Sequence, residues 1–77
     1  MPEAELREYL EHSLTKSGFT GAKGEILREC YLQHNRIDSC AYKLHMTRDE
    51  VRMWYLRMTV WSAELEIDRF KAERADA

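Results

Sequence analysis

Glycine and proline are nearly absent from this chain, whose 77 residues include three glycines and one proline. The proline is residue 2, the glycines are residues 18, 21 and 24, and residues 25–77 contain neither type. Turn-rich β-architectures need both types at their tight turns, whereas helix interiors exclude them. The chain is therefore predicted to form a single all-α domain, with 44 % hydrophobic residues available for its core.

Two helices are predicted in the first half of the chain. Apolar residues at 6, 9, 10 and 14 recur at the spacing of one helix face, which predicts a helix over residues 3–16. Gly18 would end this helix in the left-handed conformation, and Thr20 would cap the next one. The second helix is predicted over 22–34, and Asn35 would end it because asparagine tolerates the left-handed conformation. Its inner face would consist of Ile26, Leu27, Cys30, Tyr31 and His34.

Two more helices are predicted in the second half. The third is short, ends near His45, and has an inner face of Ile37, Cys40, Ala41 and Leu44. Thr47 and Glu50 have the spacing of a capping box, in which a hydroxyl and a carboxylate each bind the other residue's free amide. A fourth helix would therefore begin at Arg48, run to at least residue 62 and continue towards 72. Residues 75–77 are expected to be frayed.

In the segment 37–54, apolar and small residues lie at the spacing expected for two helices packed on either side of a tight turn. In order it contains Ile37, Cys40, Ala41, Leu44, His45, Met46, Thr47, Val51 and Trp54. Ala41 is small where two helices would cross in contact, and Leu44 and Met46 lie on either side of a tight turn. The pattern resembles the helix-turn-helix of bacterial and phage DNA-binding proteins, including Fis-type factors and the DNA-binding regions of sigma factors. That family usually has glycine where this chain has His45.

This resemblance implies a fold and a function. The fold would be a small helical bundle with a trihelical, homeodomain-like core over 22–63, an N-terminal helix and a helical or frayed extension over 64–77. The function would be sequence-specific DNA binding that regulates transcription. A weaker likeness links residues 51–55 to the third helix of homeodomains, but Arg57 stands where that family has its adenine-reading asparagine. We attribute this second likeness to shared trihelical packing.

The resemblance also implies which residues would contact double-stranded DNA. Arg48, Arg52 and Arg57 would bind guanine edges, and Asp49 would accept a hydrogen bond from a cytosine amino group. Phosphate contacts would come from Thr47, Lys43 and Arg36. The alternative is that these charges form a solvated helix face, with pairs such as Asp49 and Arg52.

The net charge of −2 is unevenly distributed. Residues 1–19 and 64–77 each carry −2, whereas residues 20–63 carry +2 because seven basic side chains outnumber five acidic ones. The basic part therefore coincides with the helix-turn-helix pattern. So few positive charges would hold DNA weakly at physiological salt. We therefore expect a homodimer, which would double the contacts.

A second apolar stripe is predicted on the fourth helix, apart from its core-facing residues. The core-facing set is Val51, Trp54, Tyr55, Met58, Ser62 and Leu65. The second set, named the outer stripe, is Met53, Leu56, Val60, Ala63, Ile67 and Phe70. Its spacings of 3, 4, 3, 4 and 3 are those of a coiled-coil contact line. Its partner would be the first helix, a second copy of the chain or another protein.

A second function class follows from the outer stripe. The chain would keep the trihelical fold and bind a protein partner, such as part of the transcription machinery, without reading DNA. A third possibility is an accessory module that packages nucleic acid with the same fold.

Four side chains are of the types that bind metal ions: Cys30, His34, Cys40 and His45. The two pairs are separated by only five residues, where zinc sites have a longer loop. Both cysteines also fall at predicted core positions, where free cysteine acts as a small apolar residue. We therefore expect no metal.

Other function classes are excluded by missing patterns. The chain has no nucleophile elbow, HExxH motif or P-loop, so we expect no enzyme, cofactor or small-molecule substrate. It has no apolar run of about 18–20 residues and no secretory signal pattern, so no membrane contact is expected. Two cysteines are too few for a disulfide scaffold, which favours the reducing cytoplasm.

Overall fold

A computed structural model describes residues 2–75 and contains four α-helices. They are α1 (Glu3–Lys16), α2 (Gly21–Leu32), α3 (Ile37–Leu44) and α4 (Arg48–Ala75). The described residues include no strand, so the predicted all-α fold with a long C-terminal helix is confirmed. Of the end predicted to be frayed, residue 75 is the last residue of α4, and residues 76 and 77 lie outside the described part of the chain.

The same hydrogen-bonding pattern ends α1, α2 and α3. A left-handed residue follows each helix: Gly18 (φ 86°), His34 (φ 58°) and His45 (φ 55°). The amide after each of them donates to the carbonyl oxygen five residues earlier, at 2.9, 2.9 and 3.0 Å. This is the Schellman motif, which satisfies carbonyl groups that have no partner within the helix. The predicted left-handed conformation of Gly18 and the predicted end of the third helix near His45 are confirmed.

The predicted end of α2 was wrong by two residues. The left-handed residue is His34, and Asn35 instead donates its amide to the carbonyl oxygen of Cys30 at 2.9 Å. In a Schellman motif, the amide after the left-handed residue donates to the carbonyl oxygen five residues earlier. Since that carbonyl belongs to Cys30, the left-handed residue is His34. His34 is therefore exposed in the turn and does not belong to the inner face of α2. Ile26 was also assigned to that face and is 38 % exposed.

The core lies between one side of α4 and the three shorter helices. Its buried residues are Leu10, Leu14, Leu27, Cys30, Cys40, Ala41, Leu44, Val51 and Met58. From α4, Val51, Met58 and Leu65 are all buried, and their spacing of seven residues keeps them on one side of the helix. The core-facing stripe predicted for the fourth helix is thus confirmed, with Trp54 and Tyr55 half-buried beside it.

The first helix runs antiparallel to α4 and packs on its core side. An ion pair joins Glu5 to Arg69 near the start of α1, and the rings of Phe19 and Trp54 lie 4.9 Å apart just beyond its end. Arg7 also binds both carboxylate oxygens of Glu29 at 2.9 Å, which ties α1 to α2. These contacts place the apolar face of α1 over the same side of α4 as the core.

Candidate nucleic-acid and partner interfaces

The connection between α3 and α4 is a turn of three residues, 45–47. His45 takes the left-handed conformation (φ 55°, ψ 43°), and the amide of Met46 donates to the carbonyl oxygen of Ala41 at 3.0 Å. Ala41 and Leu44 are buried on the α3 side of this turn, and Val51 is buried on the α4 side. The turn therefore holds the first residues of α4 beside the end of α3.

A reciprocal cap begins α4. The amide of Glu50 donates to the hydroxyl oxygen of Thr47 at 3.1 Å, and the amide of Thr47 donates to a carboxylate oxygen of Glu50 at 3.2 Å. The Thr47 hydroxyl also donates to that oxygen at 2.8 Å. These bonds to the Thr47 side chain and backbone lower the pKa of Glu50. The predicted capping box is confirmed, and a phosphate contact by Thr47 would have to displace Glu50.

Two of the predicted DNA-contacting arginines lie in the first turns of α4 and are exposed. The side chain of Arg48 is 67 % exposed and that of Arg52 is 54 % exposed. Each is paired with a carboxylate: Arg48 with Asp38 of α3 at 2.5 Å, and Arg52 with Asp49 at 3.2 Å. The positive charges at this end of α4 are therefore locally neutralised, and the predicted pair of Asp49 with Arg52 is present.

Lys43 does not lie beside Arg48. Lys43 follows Asp38 by five residues, which is about 140° around α3. It lines a shallow groove beside Glu25 and Glu29 of α2. Arg36 lies just before α3 with an extended backbone (φ −66°, ψ 146°), and it is exposed.

Arg57 lies beyond the first turns of α4. Its guanidinium stacks on the Trp54 ring at 4.9 Å. Apart from Arg36, which precedes α3, the predicted DNA-contacting residues therefore form three groups around Arg48, Lys43 and Arg57, rather than one continuous patch.

Two side chains near Arg48 were not singled out from the sequence. Asp38 pairs with Arg48, and Tyr42 is 85 % exposed four residues further along the same face of α3. In the sequence, the four-residue spacing of Asp38 and Tyr42 already places both side chains on one face of the third helix. Tyr42 is therefore a further candidate for contact with a partner at this end of the molecule.

The outer stripe is exposed along its whole length. Its large members are 52–61 % exposed: Met53, Leu56, Val60, Ile67 and Phe70. Ala63 between them is exposed as well. The hypothesis that the first helix covers this stripe was wrong, because the ion pair of Glu5 with Arg69 and the core contacts hold α1 elsewhere. A second copy and another protein remain as possible partners.

The four side chains of metal-binding type occupy different environments. Cys30 and Cys40 are buried in the core, whereas His34 and His45 are exposed in two separate turns. Burial and contact with Cys30 raise the pKa of the Cys40 thiol to about 12. Burial and the neighbouring Cys40 raise the pKa of Tyr55, whose hydroxyl donates to the backbone carbonyl oxygen of Asn35 at 3.0 Å. Over residues 2–75, no three His, Cys, Asp or Glu side chains are grouped closely enough to hold a metal ion.

Two remaining observations concern membrane-spanning helices and similarity to known proteins. None of the helices over residues 2–75 combines the length and apolarity that a membrane crossing requires. Function is therefore inferred from the α3–α4 connection and the outer stripe. Comparisons with protein-family models, curated proteins and solved structures found no significant match.

Proposed function

We propose that this chain is a sequence-specific DNA-binding regulator of transcription that acts as a dimer in the cytoplasm. The observation that carries the proposal is the α3–α4 connection, with its left-handed His45 and its capped helix start. It holds two exposed arginines, Arg48 and Arg52, in the first turns of a helix whose start is packed against α3. A helix presented in this way fits the major groove, where arginine binds the O6 and N7 edge of guanine.

The carboxylates that now pair with the two arginines would give way to DNA. Both ion pairs are more than half exposed, and opening such a pair costs about 1 kcal/mol or less. A bidentate contact of arginine with guanine contributes about 1–3 kcal/mol of discrimination between bases. Asp49, once released from Arg52, would be free to accept a hydrogen bond from a cytosine amino group. The exchange is therefore favourable at the correct sequence and unfavourable elsewhere.

Dimerisation is part of the proposal because one copy carries too little positive charge. Residues 20–63 have an excess of only two basic side chains, which limits the number of phosphate contacts. Two copies would double this number and would read two half-sites.

Selection of binding sites from random double-stranded DNA at physiological salt tests the proposal. We expect enrichment of a palindromic site, and its loss in the variant Arg48→Ala with Arg52→Ala. The matched control is Lys16→Ala with Lys23→Ala, which removes the same charge from exposed positions outside α3 and α4. Circular dichroism checks that both variants keep their helicity. An unenriched pool from the unmodified protein would rule out sequence-specific DNA binding.

A second candidate function is supported by the outer stripe and by the pairing of both arginines. The chain would then be a small regulator that binds another protein, such as part of the transcription machinery. In that case Leu56→Glu or Val60→Glu abolishes regulation in cells, whereas the double arginine variant has little effect. Loss of regulation in the arginine variant alone would contradict this second function.

A further inference from the structure

The outer stripe lies on the side of α4 opposite the core. A helix advances 100° per residue, so Val60 of the stripe is about 160° from buried Met58. The exposed apolar residues cover six successive positions of the stripe, from Met53 to Phe70. An α-helix with two apolar sides must bury both of them. Since α1 occupies the core side, the outer stripe requires a partner from outside the chain.

The spacing of the stripe is the same in both directions along α4. Its steps of 3, 4, 3, 4 and 3 residues form a palindrome. Two antiparallel copies therefore align every member with another member, which places Met53 opposite Phe70, Leu56 opposite Ile67, and Val60 opposite Ala63. We propose that the outer stripe binds a second copy of this chain in this antiparallel register. The proposal goes beyond the proposed function, which requires a dimer but assigns it no orientation.

The charges at the two ends of the stripe favour the antiparallel orientation. Asp49 lies four residues before Met53, and Arg74 lies four residues after Phe70, so both continue the spacing of the stripe. In the antiparallel register, Asp49 of one copy lies opposite Arg74 of the second copy. In a parallel pair, Asp49 would face its own equivalent, and so would Arg74. Like charges at such close positions oppose assembly.

The charged residues on either side of the outer stripe also favour the antiparallel over the parallel orientation. In an antiparallel pair of helices, the residues on one side of the apolar stripe of one copy contact the residues on the equivalent side of the stripe of the second copy. This brings together three oppositely charged pairs, each joining two copies: Arg57 with Glu64, Glu50 with Lys71 and, in the absence of DNA, Arg52 with Glu73. A parallel pair would instead bring Arg52 against Arg57, and its one favourable flanking pair would be Glu66 with Lys71. Charge complementarity therefore selects a second copy in one orientation.

The register also fixes the distance between the two α3–α4 turns. The first turns of the two α4 helices would lie about 34 Å apart along the shared axis. Half-sites read from one side of B-DNA are about 34–36 Å apart. This consequence rests on the proposed function, whereas the antiparallel dimer does not.

Disulfide linking between two variants, each with one added cysteine, tests the register without DNA. Leu56→Cys and Ile67→Cys are prepared separately, one with a mass tag, and are oxidised with diamide alone and as an equal mixture. The antiparallel register brings residue 56 of one copy beside residue 67 of the other, so only the mixture is expected to link. The native Cys30 and Cys40 are buried, and Lys23→Cys serves as the exposed control that does not link.

Every other outcome of the linking experiment overturns the proposal. Self-linking of each variant, without mixed product, would establish a parallel dimer. A dimer that links in neither way would use another surface. If the unmodified protein sediments as a monomer at high micromolar concentration, the outer stripe would bind another protein instead of a second copy. Since DNA is absent, these failures are distinct from failure to enrich a DNA site.

Charge reversal gives a second measurement of the same register. Arg57→Glu or Glu64→Arg alone is expected to weaken the dimer about tenfold, because each creates two like-charged pairs across the interface. The double variant exchanges the charges and is expected to restore the affinity. In a parallel dimer Arg57→Glu would strengthen assembly, because residue 57 would then face Arg52. Such strengthening, or a double variant as weak as the single ones, would refute the antiparallel register.

Discussion

The Nε atom of Arg48 lies 2.5 Å from a carboxylate oxygen of Asp38, which joins the first turn of α4 to the first turn of α3. The arginine that the proposal places against DNA is therefore held by an acidic residue of the same unit. This contact orients the guanidinium, and it also adds a negative charge where phosphates would approach. Asp38 would thus restrain binding to incorrect sequences.

Removing this carboxylate is expected to strengthen DNA binding. Asp38→Asn keeps the size of the side chain but removes its charge, so Arg48 loses its competitor and phosphates lose a repulsive neighbour. We expect the affinity to rise about three- to tenfold at low salt, with a smaller gain at high salt because the effect is electrostatic. Fluorescence anisotropy with the selected DNA measures it. Glu8→Gln, at an exposed position on α1, is the control, and an unchanged affinity for Asp38→Asn would contradict the role of this pair.

The two threonines that precede helices are expected to differ in their contribution to stability. The hydroxyl oxygen of Thr47 accepts a hydrogen bond from the Glu50 amide, whereas Thr20 precedes α2 without a side-chain capping bond. Thr47→Ala should therefore lower the free energy of unfolding by about 1 kcal/mol. Thr20→Ala should lower it by about a quarter of that value or less, since no capping bond is lost. Urea denaturation followed by circular dichroism compares them, and equal effects would be inconsistent with the cap at Thr47.

Acid is expected to destabilise the protein through Glu29. Its hydrogen bonds with Arg7 lower the pKa of this carboxyl from 4.5 to about 2. Because the pKa is lower in the folded state, the stabilisation is complete above pH 4.5 and is lost as the pH falls towards 2. The pair is about one-third exposed, so we expect a loss of about 1 kcal/mol.

Glu29→Gln tests this assignment of the acid sensitivity. The variant should be less stable than the parent at pH 7, and its stability should change less between pH 4.5 and 2. Glu3→Gln is the matched control, since that carboxylate binds the same arginine but its side chain is 69 % exposed. Denaturant unfolding at a series of pH values is the measurement. An acid response of Glu29→Gln as steep as that of the parent would exclude Glu29 as its origin.

The two native cysteines are expected to resist alkylation while the protein is folded. Both are buried, and the pKa of Cys40 is raised to about 12, so its reactive thiolate is scarce at pH 8. Iodoacetamide should therefore label Cys40 only as the protein unfolds, and added urea should accelerate labelling in step with the unfolded fraction. Mass spectrometry identifies the modified residue. Rapid labelling of Cys40 in the native state would contradict its burial.

Local signals in the sequence were sufficient for most helix ends. The bounds of α1 and the start of α4 were predicted correctly because Gly18 and the Thr47 cap act through residues close in the chain. The end of α2 was predicted incorrectly because both His34 and Asn35 tolerate the left-handed conformation. The choice between them follows from the position of Cys30, whose carbonyl accepts the last bond of the turn while its side chain is buried in the core.

The periodicity of α4 revealed two apolar sides, because side-chain direction along a helix depends only on residue spacing. It did not reveal which side α1 would cover, since the apolar face of α1 fits either one. That outcome depends on contacts between residues distant in the chain, such as Glu5 with Arg69 and Leu10 within the core that contains Met58. The pairing of Asp38 with Arg48 likewise required α3 and α4 to be packed together. Helix positions and the pair of Asp49 with Arg52 are therefore local properties of this sequence, whereas the exposed outer stripe and the neutralised Arg48 arise from long-range packing.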